Sequence, residues 1–167
     1  MILMLCCSFL AACTKTSDTG LAAEKAQAVI DDKIISTYLA QNPGLKAIRI
    51  DTTGVYYIIK QQGSGNDLFT NSTQVTVADT GRLLTTGQIF TETNMFHPSY
   101  ILSQVIMGWQ LGIPECKTGG IVRLLIPSRY AFGPNAQPQL GVSFGLANGL
   151  PANAVLDFDI VLYNVTN

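Results

Sequence analysis

Reactive side chains are few in this sequence, and their spacing argues against covalent or metal chemistry. The only histidine, His97, stands before Pro98 in an irregular stretch, where it reads as an exposed loop residue rather than a catalytic base. The four cysteines form two unlike groups: Cys6, Cys7 and Cys13 lie near the start, and Cys116 stands alone in the body. No Cys-x-x-Cys pair or mixed Cys/His set exists, so a zinc site has no support. No cofactor is implied either. Cys116 reads as a small, partly buried thiol without a redox partner. More prominent are aromatic and branched residues set close to glycines and prolines: Phe90, Val105-Ile106, Trp109, Phe132, Leu150 and Phe158. Taken one at a time, each of these reads as core packing.

These residues need a frame, and the pattern of the chain predicts one. From Gly54 to Lys60 the chain is aromatic and β-branched, a strand by composition, and Gln62-Gly63-Ser64-Gly65-Asn66 turns it. Val75-Thr76-Val77 opens another strand that continues through Thr80-Gly81-Arg82-Leu83-Leu84. The turn Thr85-Thr86-Gly87 then leads into Gln88-Ile89-Phe90, a hairpin. A short helix is expected from about Gly108 to Lys117-Thr118-Gly119-Gly120, followed by a strand from Ile121 to Ile126. In the last strand Leu156, Phe158, Ile160 and Leu162 alternate toward one face. Residues 133–149 carry no formal charge, and Pro134, Pro138, Gly141, Gly145 and Gly149 exclude a long regular element there.

Upstream, Ala22, Ala26, Val29-Ile30, Ile34 and Tyr38 recur at helical spacing, with Glu24, Lys25, Asp31, Asp32 and Lys33 mostly elsewhere. An amphipathic helix over residues 21–41 is therefore expected, stopped by Asn42-Pro43-Gly44. Its expected place is against its own domain. A twenty-residue helix offers a small interface, so a monomer is favoured over dimerisation through this arm.

Several short motifs recur in a fixed order: Thr80-Gly81-x-Leu83, Gly87-x-x-Phe90, Val105-Ile106-x-Gly108-Trp109 and Gly119-Gly120, then Ile126-Pro127, Tyr130-Ala131-Phe132-Gly133 and the run from Pro151 and Ala154 to Leu156, Phe158 and Asp159. No single piece is decisive, but the ordered set resembles the FKBP-type peptidyl-prolyl isomerase family. The resemblance implies an α+β fold: an FKBP-like antiparallel sheet of five or so strands wrapped around one short α-helix. The FKBP-like domain would span residues 50–167, preceded by an N-terminal helical segment over residues 21–44.

It also implies a chemistry. Rotation about a peptide bond meets a barrier of roughly 18–20 kcal/mol from amide resonance. For Xaa-Pro bonds the two isomers are close in energy, and exchange takes about tens to hundreds of seconds. Acceleration needs no nucleophile or metal. It needs an apolar cavity that grips the prolyl ring, strips water from the carbonyl and favours the twisted amide over both planar forms. By position in the motifs, Phe90, Val105, Ile106, Trp109, Phe132 and Phe158 would form the catalytic wall, with Trp109 as its floor. Leu150, Asp79 and Thr91 would contact substrate, and the Ile106 N–H would donate to a ligand carbonyl.

Three polar positions depart from the family pattern. Asp79 stands where the family usually has tyrosine, and Thr91 where it usually has aspartate. Phe132 keeps an aromatic ring but lacks a hydroxyl. An exchanged pairing, Asp79 accepting from the Thr91 hydroxyl, is one expectation. The departures leave two readings open: an isomerase of reduced turnover assisting the folding of exported proteins, or a weakened or inactive FKBP-like chaperone that holds peptide segments. In the family the loop corresponding to residues 133–149 overhangs the pocket. Leu140, Val142, Phe144 and Leu146 would either form an apolar lid or pack down onto the sheet.

Composition and the N-terminus supply an address. Hydrophobic residues make up 47% of the chain and charged ones 13%, enough apolar material for a substantial core. The net charge is −1 and the basic residues do not cluster. There is thus no electrostatic footprint for nucleic acid or a polybasic membrane patch. Residues 1–12 are apolar, too short to span a bilayer but of signal-peptide length. Leu10-Ala11-Ala12-Cys13 resembles the lipobox of bacterial lipoproteins, in which the cysteine becomes lipidated. No Lys or Arg precedes the apolar run. Residues 13–20 read as a polar, flexible tether. The expected place is the bacterial cell envelope, lipid-anchored and extracytoplasmic, with unfolded or prolyl-containing polypeptides as partners.

Overall fold

The computed structural model describes residues 16–93 and 95–167. Period-two alternation governs its longest strands. In β3 (Gln74–Leu83) Val75, Val77, Asp79, Gly81 and Leu83 turn to the buried face. In β7 (Leu156–Thr166) Leu156, Phe158, Ile160 and Leu162 do the same, as the sequence pattern predicts. These two strands pair antiparallel along ten residues of β3, from Gln74 opposite Thr166 to Leu83 opposite Leu156. The other strands are β1 (Ile48–Arg49), β2 (Tyr56–Gln61), β4 (Ile89–Glu92), β5 (Ser99–Ile101) and β6 (Ile121–Ile126). Their order is β1-β2-β6-β7-β3-β4, with β5 also pairing β3, and every pairing is antiparallel. Seven strands therefore replace the five or so expected. The two-residue β1 and three-residue β5 are too short to show a period in sequence.

Two helices cover opposite faces of this sheet. On the inner face lies α2 (Met107–Gly112), which continues as a 3-10 turn over Ile113–Glu115. The expected helix to Lys117 stops early because Pro114 has no N–H to continue the ladder. Glycines bring α2 against β6. A Cβ at Gly108 would overlap the Ile126 side chain, and one at Gly112 would overlap Leu124. The main core fills this face, with Val75, Val77, Trp109, Ile113, Val122, Leu124, Ile126, Phe158 and Ile160 all buried. Cys116 is fully enclosed in it rather than partly buried. Burial pushes its thiol pKa up, which leaves it a poor nucleophile. His97 is exposed and stacks on Tyr163 at 4.0 Å, as a loop residue would.

The outer face carries α1 (Thr16–Gln41). A second, smaller core of Ile35, Ile58, Leu84, Leu125 and Val155 joins helix to sheet, flanked by Ile34, Tyr38 and Leu39. The helix thus packs against its own domain, and by the face the spacing predicts only in its C-terminal half, at Ile34 and Tyr38. Val29 and Ile30 are 71% and 52% exposed, Ala22 and Ala26 are exposed, and Asp31 is fully buried. The rotation has a physical reason: the Asp31 carboxylate finds strong donors in the domain, so its burial is compensated. The helix also begins at Thr16, so residues 16–20, expected in the tether, are helical. Cys6, Cys7 and Cys13 and the leader lie outside the described residues. Among the described residues no helix is long and apolar enough to cross a membrane.

Candidate functional site

Three rings from three elements meet on the inner face. Trp109, in the first turn of α2, meets Phe158 of β7 with centroids 5.1 Å apart and planes at 86°. Phe158 in turn meets Phe90 of β4 at 5.5 Å and 86°. Edge-to-face contacts of this kind add to the area they bury. Gly81 makes the approach possible. A Cβ there would lie 2.6 Å from Phe158, 2.7 Å from Thr91 and 2.8 Å from Phe90. The glycine of the Thr-Gly motif therefore serves ring packing, not a turn. A fourth ring, Tyr100 of β5, stands edge-on to Trp109 at 6.0 Å. Sequence reasoning missed it, because Ser99–Ile101 gives a strand too short to be read.

The structure brings the expected apolar residues into one cluster. Phe90, Trp109 and Phe158 are 2%, 6% and 4% exposed and Leu150 is fully buried. Val105, Ile106 and Phe132 pack against them and keep solvent access. Ile106 caps α2 in an extended conformation (φ −57°, ψ 146°). Its carbonyl accepts the N–H groups of Trp109 at 2.9 Å and Gln110 at 3.3 Å. The Gln110 side chain bonds the Val105 carbonyl at 2.8 Å, steadying the peptide between them. Among the described residues the Ile106 N–H has no protein acceptor, and the buried Trp109 Nε1 has none either. Two donors are thus unspent beside the rings.

The polar positions are arranged differently from the expectation. Thr91 lies opposite Gly81 in the β3–β4 ladder, while the Asp79 N–H donates to Thr93 Oγ1 at 2.7 Å. The expected bond from the Thr91 hydroxyl to Asp79 is therefore not formed. Thr93 faces Asp79 across the ladder, and Thr91 is two residues out of reach. Among the described residues no side chain donates to the Asp79 carboxylate. Burial pushes its pKa up to about 6. Burial and the Asp79 charge together raise the Tyr100 hydroxyl pKa.

Two loops border the cluster. The turn Ser128–Tyr130 leads into Ala131 and Phe132, and the Ser128 carbonyl accepts the N–H groups of Ala131 and Gly133, both at 2.9 Å. Beyond it, the expectation for residues 133–149 divides. Leu140 and Leu146 pack against the core, and Gly141 lies so close to Phe90 that a Cβ would come within 2.9 Å of its Cβ. Val142 and Phe144, in a 3-10 turn, are exposed. Half of the loop packs down and half stands out. One open groove of about 590 Å³ lies on the α1 side, between Ala23, Gln27, Arg129 and Pro134, and a smaller one lies beside Asp79, between Thr80, Glu92 and Asp159. Among the described residues no group of three or more His, Cys, Asp or Glu side chains is placed to hold a metal.

Comparison with known proteins gives a consistent result. A family model described as FKBP-type peptidyl-prolyl cis-trans isomerase matches residues 65–163. The chain is 30% identical over 131 residues to the FKBP-type peptidyl-prolyl cis-trans isomerase FkpA of Buchnera aphidicola subsp. Schizaphis graminum, covering 78% of this chain and 48% of that one. It is 36% identical over 107 residues to FK506-binding protein 1 of Candida glabrata, covering 62% of this chain and 85% of that protein. The crystal structure of FkpA from Escherichia coli superposes with a TM-score of 0.67 at 26% identity, over 90% of this chain and 66% of that one. The chain spans about half the length of the Buchnera FkpA relatives it matches.

Proposed function

The chain belongs to the FKBP-type peptidyl-prolyl cis-trans isomerase family, and we propose that it accelerates cis-trans exchange at Xaa-Pro bonds of folding polypeptides. The observation that carries this reading is the junction of Phe90, Trp109 and Phe158 with an accessible rim of Val105, Ile106 and Phe132. A prolyl ring seated on that rim loses water. A desolvated amide loses the charge-separated resonance form that makes the bond stiff. The Ile106 N–H, without a protein acceptor, is available to a substrate carbonyl and holds it while the bond twists. Stabilisation is then greater for the twisted state than for either planar one, as catalysis requires. No proton is transferred and no covalent intermediate forms.

Asp79 makes this activity pH-dependent. Its carboxyl is raised to about 6 by burial, above the usual value of about 4. The neutral form is therefore favoured by the fold. That stability is fully present below about pH 4 and is lost as pH rises through about 6. A charge beside the rings also draws water to them. Exchange NMR on an Ala-Pro peptide should show kcat/KM rising as pH falls from 8 to 5, with a midpoint near 6. Asp79→Asn should flatten the profile, and should raise the melting temperature at pH 8 but not at pH 4. No acceleration by a folded wild-type protein at any of these pH values would sink the isomerase reading.

Two observations favour a second reading. Asp79 buries a carboxyl without a side-chain donor among the described residues, and Phe132 lacks a hydroxyl. Both weaken the polar half of a catalytic site and leave the apolar half intact. Suppression of the aggregation of a proline-free client, without isomerisation, would support a holding module in place of an enzyme.

The proposed address is the outer side of a bacterial membrane, reached through a lipid on Cys13. The apolar run ending in Leu10-Ala11-Ala12-Cys13 supports it, and two or more acyl chains would be needed for stable anchoring. Cys13→Ala should release the protein from the membrane fraction of expressing bacteria into the soluble envelope fraction; retention of the variant in membranes would refute lipid anchoring.

A further inference from the structure

The most thoroughly buried carboxylate lies outside the FKBP-like domain, on α1, and it is bonded to the loop that walls the site. Asp31 is fully buried. Its Oδ2 accepts the Ser128 N–H at 2.8 Å and the Ser128 hydroxyl at 2.7 Å. Its Oδ1 accepts the Gln27 side chain at 2.8 Å. Helix docking does not rest on this carboxylate alone, since Ile35, Tyr38 and Leu39 also seat α1 on Leu125 and Val155. An apolar residue at position 31 would dock without the desolvation cost of a charge. What only an acceptor can do is hold the Ser128 N–H, which otherwise would be a buried orphan donor.

Ser128 is the root of the wall. Its carbonyl fixes Ala131 and Gly133, and Tyr130 N–H bonds the Pro127 carbonyl at 2.9 Å. The Arg129 guanidinium bonds the Thr53 carbonyl and lies 5.2 Å from the Tyr130 ring centroid. At the far end the Asn153 N–H bonds the Gly133 carbonyl at 2.8 Å, just beyond Leu150. From this clamped loop Tyr130, Ala131 and Phe132 pack against the core that holds Trp109 and Phe158. We propose that Asp31 is a positioning residue for the prolyl site: through Ser128 it sets where Tyr130 and Phe132 stand, so the N-terminal helix is part of the site's construction. This rests on the isomerase reading for its kinetic consequence, but not for its structural one.

The test pairs two readouts on the full chain. Asp31→Ala should lower kcat/KM toward an Ala-Pro peptide by about tenfold, mainly through KM, the scale of losing a charge-assisted hydrogen bond. Hydrogen exchange at the amides of residues 128–133 should quicken by about tenfold or more while the β3–β7 ladder stays protected. Asp31→Asn keeps one carbonyl acceptor and should fall between; it also carries the test if the alanine variant does not fold. Ile35→Ala removes docking area without touching Ser128, so it should lower stability yet leave kcat/KM and exchange at 128–133 within about twofold. Unchanged exchange at 128–133 in a folded Asp31 variant, or an equal change in Ile35→Ala, overturns the proposal. If the wild-type protein shows no isomerisation, the functional reading falls and the exchange measurement still decides the role of Asp31.

Discussion

Trp109→Ala is expected to lose about 3–5 kcal/mol of folding stability, the range for removing a large aromatic side chain from a core. It should also lose nearly all activity toward Xaa-Pro peptides. Both effects come from one side chain because Trp109 belongs to two structures at once. Its ring meets Phe158 and Tyr100 edge-on, and its helix is pressed so tightly on β6 at Gly108 and Gly112 that α2 cannot move inward to fill the space. The cavity would therefore persist, and the cost should lie toward the upper part of that range. Stability and activity are separated by Trp109→Leu, which refills part of the volume and should fold. It should still reduce kcat/KM by about tenfold or more, since the flat floor under the prolyl ring is gone. Urea midpoints and peptide kinetics on both variants check this. A leucine variant with wild-type kcat/KM would show that Trp109 only packs.

How much of this was legible in the sequence depends on how many independent signals each feature carries. In β7, Leu156, Phe158, Ile160 and Leu162 alternate and this inner face is read correctly, while β3 and β6 are legible as strands. The cluster of Phe90, Val105, Ile106, Trp109, Leu150 and Phe158 follows from motif order, because the spacing of a whole sheet constrains it. Features with a single signal fared worse. Tyr100 sits on three residues of strand, too few to show a face. The pairing of Asp79 with Thr91 failed because a ladder register decides which threonine stands opposite, and the register brings Thr93 there. The N-terminal half of the α1 face was misassigned because periodicity counts apolar residues. It cannot count a donor such as the Ser128 N–H, ninety-seven residues away in the chain, that compensates the burial of an aspartate. The same blindness hid the site's dependence on the helix.

A second large effect is expected on the outer face, where Asp157→Ala should cost about 3 kcal/mol, the lower end for breaking a buried ion pair. Asp157 binds Arg123 in a two-pronged bond, Nε to Oδ1 at 2.7 Å and Nη2 to Oδ2 at 2.8 Å. The side chains keep only 14% and 7% of their surface, arginine and aspartate respectively. Asp157 raises the Arg123 pKa, and a guanidinium is so basic on its own that it keeps its charge when that partner is removed. It would be left as a cation under α1, with Tyr38 as its remaining partner. The Tyr38 hydroxyl accepts from Nη2 at 2.6 Å, which relieves part of the cost and places the estimate low in the range. Arg123→Leu should destabilise by a similar amount, by stranding the carboxylate. The double variant Arg123→Leu/Asp157→Leu should recover most of the loss, because neither charge then needs hydration. Equilibrium unfolding of the three variants measures the coupling directly. Single variants within about 0.5 kcal/mol of wild type, the scatter of ordinary surface substitutions, would show that water reaches this pair and that α1 does not seal it.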